Sequence, residues 1–225
     1  MCPDRTDLVV EIGPGKGALT DYLIERAERV IAIEIDPVLV QYLRAKYRDQ
    51  PRLEIIEADV LKTDLSAWGK MAVAGNLPYY ITTPIVERVL GLRANLIRAV
   101  FLVQKEVAER IATGPGSRDY GYLSVATQFY AETQMLAVVP PAAFRPPPKV
   151  DSAVVQLTPR HTLPLVDPDS FLKLVSRCFL HKRKTIRNNL LGFYDKDKVE
   201  RLPEASQRAE QLSIPQFIDL YRRLA

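Results

Sequence analysis

Five short apolar runs, each followed by a stretch of helical character, constrain the fold of this chain more than any other feature. They are LVVEI (8–12), RVIAIEI (29–35), RLEIIEAD (52–59), MAVAGN (71–76) and AVFLVQ (99–104), rich in β-branched residues and poor in polar alternation. Runs of this kind suit strands buried on both faces of a parallel sheet, where crossover helices cover each side. Asp36-Pro37 reads as an N-cap followed by a first-turn proline, and Thr83-Pro84 repeats the pattern. The alternation predicts a doubly wound, Rossmann-like α/β fold. A further helix is expected over about Tyr122–Ala131, and the runs 135–139 and 153–157 are expected to pair as an antiparallel hairpin at the sheet edge. The proline-rich PPAAFRPPPKVDS (140–152) between them leads into a strand rather than a new domain, which predicts a rigid loop held over a site.

From about Pro168 the pattern becomes wholly helical. FLKLVSRCFLHKRKTIRNNLLG places Phe171, Leu172, Leu174, Val175, Phe179, Ile186, Leu190 and Leu191 at roughly helical spacing, with the end expected at Gly192. Ser213-Ile-Pro-Gln216 resembles a capping box opening a last helix. Two domains are therefore expected, an α/β domain over 1–160 and a small all-helical domain over 166–225. Charge divides in the same way. Residues 1–160 hold 19 basic and 19 acidic side chains, whereas 161–225 hold 12 and 8, so the whole net charge of +4 lies in the last third. That asymmetry predicts an anionic partner docking at one end. No segment reaches the roughly 20 apolar residues of a membrane span, and the opening MCPDRTD lacks the features of a signal peptide. Cys2 and Cys178 lie far apart, and His161 and His181 add no cluster. A cytoplasmic, reduced and metal-free chain is the expectation.

Polar residues mark the ends of the predicted strands. After the first comes Gly13-Pro14-Gly15-Lys16-Gly17, where bare backbone allows a sharp turn and close approach of a ligand. A strand-to-helix turn needs glycine anyway, so the loop alone decides little. Glu34 then falls at the end of the second strand, placed to accept hydrogen bonds from ribose hydroxyls. Asp59 ends the third, near where an adenine amino group would lie, and Asn76 ends the fourth. The loop is GxGxG rather than the dinucleotide GxGxxG, and no Walker lysine follows. A ligand with ribose and adenine but no phosphate fits better, and S-adenosylmethionine is the obvious ligand of that kind to expect.

The stretch GNLPYY (75–80) ends the fourth run with an amide, a proline and two aromatics. An adenine N6 is a poor nucleophile because its lone pair is delocalised into the ring. The side-chain oxygen of Asn76 and the main-chain carbonyl of Leu77 can accept hydrogen bonds from both N–H groups and so favour a pyramidal nitrogen. Pro78 fixes the turn that aims them, and Tyr79 can stack on an extruded base, a contact worth ~1–3 kcal/mol. A plain proline turn with surface tyrosines is the competing reading. Arg177, Lys182, Arg183, Lys184 and Arg187 form a basic run without an acid among them, suited to RNA phosphate contact that positions rather than reads the strand.

Asn-Leu-Pro-Tyr at the end of the fourth strand resembles the N6-adenine methyltransferases. More closely, the chain resembles the ribosomal RNA small-subunit (16S) adenine dimethyltransferases. The matching stretches are VVEIGPGKGALT (9–20), AIEID (32–36), IIEADVLKTD (55–64), GNLPYYITTP (75–84), FLVQKEVAERI (101–111), DYGYLSVATQFYAE (119–132), PPAAFRPPPKVDSAVV (140–155) and FLHKRKTIRNNL (179–190). The resemblance implies a small-subunit rRNA substrate in which two adjacent adenines each receive two methyl groups, and a helical domain that grips the RNA. It places cofactor contacts on Gly13, Glu34, Asp59 and Asn76, to which the reading of the glycine loop adds Gly15, and it matches Phe144 to an aromatic closing on the other face of the flipped base. Phe144 as a packing residue is the rival reading. Members of the family carry a Gln-Asn-Phe-Leu stretch upstream of the first strand that encloses the methionine end of the cofactor. This chain begins about seven residues before its first strand, so weak cofactor binding is expected of it. Tyr80 stands where the family more often has asparagine, which predicts a tuned pocket with the chemistry intact. A monomer is expected. Two other functions fit the same residues: methylation of large-subunit (23S) rRNA, as in resistance enzymes, and non-catalytic RNA binding in ribosome assembly.

Overall fold

A computed structural model describes residues 6–225, apart from the side chain of Tyr79; Cys2 lies outside the described residues. The apolar runs form strands in the expected places. β1 (Thr6–Ile12), α1 (Thr20–Arg26), β2 (Ala27–Glu34), α2 (Pro37–Lys46), β3 (Leu53–Glu57), β4 (Met71–Asn76), α3 (Thr82–Leu90) and β5 (Leu96–Gln104) alternate along the chain. Then come α4 (Lys105–Ala112), α5 (Tyr122–Tyr130), β6 (Ala131–Val139) and β7 (Ser152–Pro159). The sheet order is β3-β2-β1-β4-β5-β7-β6, with the first five strands parallel and β7 and β6 antiparallel at one edge. This is a Rossmann-like arrangement. The last five residues of β1 and of β2 are all buried, as two covered faces require. On one face Val9, Val30, Ala72 and Ala74 pack with Leu23 of α1.

Asp36 caps α2 by accepting from the Val38 N–H at 2.8 Å, with Pro37 in the first turn. α3 departs from the expected start. It begins at Thr82 after Ile81, whose apolar side chain cannot cap, and the Thr82 hydroxyl donates to the Pro78 carbonyl at 3.2 Å. β3 stops at Glu57, so Asp59 stands two residues past the strand rather than in it. The edge strand β6 exposes Met135, Leu136 and Val138, and a register shift between Met135 and Ala137 interrupts its pairing with β7, an irregularity of the kind common at sheet edges.

Register decides where the polar strand ends meet. Ile12 pairs with Ile33 and Gly75, Glu34 with Glu57, and Asn76 with Leu102. Gln104 and Val139 both pair with Ser152. The glycine loop, Glu34, Asn76 and the proline-rich loop therefore all emerge at the carboxyl edge of the parallel strands.

The chain divides into two compact units: residues through Ala108 with Ala131–His161, and Glu109–Tyr130 with Thr162–Ala225. The expected division at 160–166 treats each domain as one continuous segment; the structure instead joins α5 to the C-terminal helices. The second unit contains α5, α6 (Pro168–Cys178), α7 (Ile186–Leu190), α8 (Lys196–Glu200) and α9 (Ile214–Leu224). Phe129 of α5 lies 4.7 Å from Phe171 between ring centres, inside a core that includes Ile186, Leu190, Phe217 and Leu220. Cys178 is buried there, and burial pushes its thiol up to about 12, so it is unreactive.

The single helix expected up to Gly192 is broken. α6 ends at Cys178, a turn covers 179–185, and α7 begins at Ile186 with Thr185 as its cap. Asn189 explains the break. Its buried amide donates to the carbonyls of Cys178, His181 and Lys184 at 2.8, 3.2 and 3.4 Å and accepts from the His181 N–H at 3.0 Å. A side chain thus takes the place of helical backbone bonds. The apolar spacing continues across the gap because both helices face the same core. The Ser213–Gln216 capping box opens α9 as expected.

Gly75 has no room for a side chain, since a Cβ there would meet the Ile12 carbonyl at 2.6 Å. Gly75→Ala should therefore lower stability by about 2 kcal/mol, the scale of overpacking in a close-packed interior. Urea denaturation of the two proteins measures the difference.

Candidate active site

The glycine loop is held by a carboxylate. Gly13, Gly15 and Gly17 adopt φ of +68°, +58° and +85°, a region that favours glycine. Gly13 extends the β1–β2 ladder by donating to the Ile33 carbonyl at 3.0 Å. The Glu34 side chain is 7% exposed; one oxygen accepts from the Gly15 N–H at 3.2 Å, and the other from Ile35 and Asp36 at 2.9 and 3.1 Å. An ionised carboxylate offers about four lone-pair sites, so three occupied positions leave room for a hydroxyl at the mouth.

Behind the loop a second set of contacts holds its far end. The Tyr47 hydroxyl lies 3.0 Å from the Gly17 carbonyl and 2.7 Å from Asp21, and Lys46 reaches Asp21 at 2.9 Å. A Cβ on Gly17 would collide with that hydroxyl. Hydrogen bonds from Tyr47, then Lys46, hold the Asp21 carboxyl below its ordinary range. Nothing local in the sequence pairs Tyr47 with a loop 30 residues earlier, so sequence reasoning missed it.

Glu11 was missed as well, although an acid within the apolar run LVVEI was a legible signal. Its side chain is 1% exposed and accepts from the Thr20 hydroxyl at 2.6 Å, tying β1 to the first residue of α1 across the loop. Burial pushes its carboxyl up to about 7; the Thr20 bond opposes this, and the negative Asp21 and Glu34 add to it.

Asn76 closes β4 as an exposed residue, and its side chain makes no hydrogen bond among the described residues. Its main-chain carbonyl stands 3.8 Å from where a Cβ of Gly13 would lie, across the β1–β4 junction where the strand order reverses. The turn that follows is firmly anchored. Leu77 is buried and donates to the Leu102 carbonyl at 3.0 Å, while the Pro78 carbonyl accepts from Ile81 and Thr82 at 3.2 Å. Tyr80 is exposed; the stacking expected of the Tyr79 side chain lies outside the described residues. Asp59 accepts from Leu61 at 2.9 Å and faces Lys62 at 3.7 Å, which makes it the cap of its own turn. Phe144 is half-buried in the proline-rich loop, its N–H donating to the Pro141 carbonyl at 3.0 Å. Backbone N–H groups bared by three glycines, a buried acid at the mouth and an unengaged amide beside them fit a cofactor carrying a ribose. Among the described residues no group of three or more His, Cys, Asp or Glu side chains could hold a metal ion, and no helix is long and apolar enough to cross a membrane.

In the helical unit the basic run lies on the 179–185 turn and its flanks rather than along one helix face. Lys182, Arg183 and Lys184 are exposed, with Lys182 reaching the Arg118 carbonyl at 2.7 Å. Arg187 pairs with Glu200 at 2.6 Å, and Arg177 bonds the Tyr194 hydroxyl at 3.0 Å.

Comparison with known proteins agrees with this geometry. The sequence profile of the ribosomal RNA adenine dimethylase family matches residues 3–225. A ribosomal RNA small subunit methyltransferase A of Acidobacterium capsulatum is 46% identical, over 96% of this chain and 81% of its own length. A dimethyladenosine transferase from Plasmodium falciparum superposes with a TM-score of 0.82 at 28% identity, covering 96% of this chain and 89% of that one. The 23S rRNA methyltransferase ErmE gives 0.74 at 31% identity, covering 99% and 93%.

Glu11 should leave a signature in stability. Below about pH 4.5 it is protonated whether folded or not; between about 4.5 and 7 the folded chain keeps a proton that the unfolded chain releases, so stability falls as pH rises and levels off above 7. The span corresponds to about 3 kcal/mol. Glu11→Gln keeps an acceptor for Thr20 without the titration, and should gain on the parent by about that amount between acid and neutral pH. Urea melts of both proteins at several pH values measure it.

Proposed function

The chain belongs to the ribosomal RNA adenine dimethylase family, and on that footing we propose that it methylates N6 of adenines in small-subunit rRNA, using S-adenosylmethionine. Each of two adjacent adenines receives two methyl groups during maturation of the subunit. The observation that carries this reading is the exposed, unengaged Asn76 at the end of β4, its backbone against the glycine loop.

Gly13, Gly15, Glu34, Asp59 and Asn76 hold the cofactor, with Glu34 accepting from its ribose. The cofactor supplies an electrophilic methyl group. Asn76 Oδ1 and the Leu77 carbonyl accept the two N–H bonds of the target amine, which turns its lone pair out of conjugation with the ring. After one methylation a single N–H remains, and one of these acceptors is enough to orient it. The rigidity of the turn matters here, because the buried Leu77 side chain and the Pro78 hydrogen bonds keep the Leu77 carbonyl and the backbone that carries Asn76 in place. Tyr79 and Phe144 stack on the two faces of the extruded base, Phe144 reaching it from the loop that leaves the same sheet edge. No general base is needed, since the proton lost from N6 is acidic once the nitrogen carries the new bond.

Lys182, Arg183 and Lys184 make the main phosphate contacts. Arg187 contributes less because Glu200 already engages it. Such contacts orient the RNA without reading its sequence. The enzyme acts as a monomer in the cytoplasm on the assembling subunit. Action on large-subunit rRNA is not favoured: the small-subunit methyltransferase is 46% identical, against 31% for ErmE.

Asn76→Ala should reduce methyl transfer to unmethylated small subunits by about 100-fold or more, the scale of losing one preorganised hydrogen-bond partner, while RNA binding is retained. Incorporation of labelled methyl groups, with a filter-binding assay in parallel, checks both. A fully active variant would overturn the mechanism, and a parent that binds subunits without ever methylating them would mark a non-catalytic assembly factor.

A further inference from the structure

Arg177 lies in the last turn of α6, in surroundings unlike those of Lys182, Arg183, Lys184 and Arg187. Its guanidinium carbon lies 4.6 Å from the ring centre of Phe193 and 5.2 Å from that of Tyr194, and the group donates to the Tyr194 hydroxyl. Beside it opens a cleft of about 300 Å³ lined by Ser170, Lys173, Arg177, Tyr194 and Tyr221. Leu224 and Ala225 complete the lining, which has no acidic side chain but includes the carboxyl-terminal residue.

We propose that this cleft binds one unstacked nucleotide of single-stranded RNA, with the phosphate on Arg177 and Lys173 and the base against a tyrosine face. The site deepens the RNA-docking reading above and rests on it. Three observations support the choice of ligand. The stacked, hydrogen-bonded guanidinium is already fixed, so little side-chain freedom is lost when a phosphate engages its remaining donors. Lys173 is exposed and forms no ion pair among the described residues, which leaves its charge for an anion. Tyr221 is braced edge-on against Phe171 at 6.1 Å and offers a rigid aromatic surface, and every base presents a π-face to such a platform. The volume is at the small end of the ~300–1,000 Å³ typical of ligand sites, a size for one nucleotide and not for a duplex. Cations and aromatics converge in this cleft, whereas Lys182, Arg183 and Lys184 offer charge alone.

The test uses the full chain with unmethylated small subunits carrying 4-thiouridine, ultraviolet crosslinking and peptide mapping, beside binding titrations over a salt series. Crosslinks should fall in the peptides containing Tyr194 or Tyr221. Lys173→Ala, at an exposed position, should weaken subunit binding about fivefold and lower the slope of log K against log salt by about one, while S-adenosylmethionine binding is unchanged. A joint alanine replacement of Lys182, Arg183 and Lys184 serves as the control. If it weakens binding while Lys173→Ala leaves both affinity and slope unaltered and neither tyrosine peptide is crosslinked, the cleft is not a nucleotide site, although RNA docking by this unit stands. If neither variant changes binding, both the cleft and the docking reading fall.

Discussion

Between Ile12 and Gly75 the backbones of β1 and β4 run so close that one added methyl group would lie 2.6 Å from a carbonyl oxygen. That approach brings the end of β4 against the start of the glycine loop, and much of the proposed chemistry depends on it. Asn76 follows Gly75 directly and Gly13 follows Ile12, so the residue proposed to hold the target amine and the loop proposed to hold the methyl donor leave two strands that are paired at that point. A wider spacing would separate donor and acceptor, and side chains at Gly13 or Gly75 would fill the junction. The proline turn then matters because it anchors Leu77 and Pro78 within the protein while leaving the Asn76 amide free.

Charge around the loop is arranged as carefully as its shape. Glu11, Asp21 and Glu34 interact electrostatically, and their repulsion adds to the burial that keeps Glu11 protonated up to about pH 7. Glu34 offsets its burial with three backbone donors, and Asp21 is held by Tyr47 and Lys46. Each acid therefore has its own local solution. The outcome is a loop held from both sides, with Glu34 at its mouth.

The helical unit solves a different problem. Three neighbouring cations must stay exposed on a defined scaffold, and a continuous helix would spread them around its circumference. Asn189 gathers the backbone of 178–184 with four hydrogen bonds from inside the unit, leaving Lys182, Arg183 and Lys184 on the outside. The phosphate contact proposed for this turn would give orientation and salt-sensitive affinity.

How much of this was legible in the sequence differs from one residue to the next. β-branched runs, Asp36-Pro37 and Ser213–Gln216 carry their own local physics, so strands, caps and helices appeared where expected. Gly13, Glu34 and Asn76 were legible because each stands at a strand end, and parallel strands must present those ends at a common edge. Asp59 was misplaced by two residues because strand ends depend on pairing partners. The break at 179–185 was invisible to periodicity, which reports the face turned to the core and not the continuity of the backbone. Tyr47 behind Gly17, Thr20 on Glu11 and Arg177 between two aromatic rings are meetings of distant residues that no local pattern encodes. The sequence by itself determined the fold class and the cofactor edge, because these follow from local propensity and period. Tertiary structure alone decided which acid stays neutral, what holds the loop and where the cleft opens, because burial and charge coupling arise only when distant segments pack.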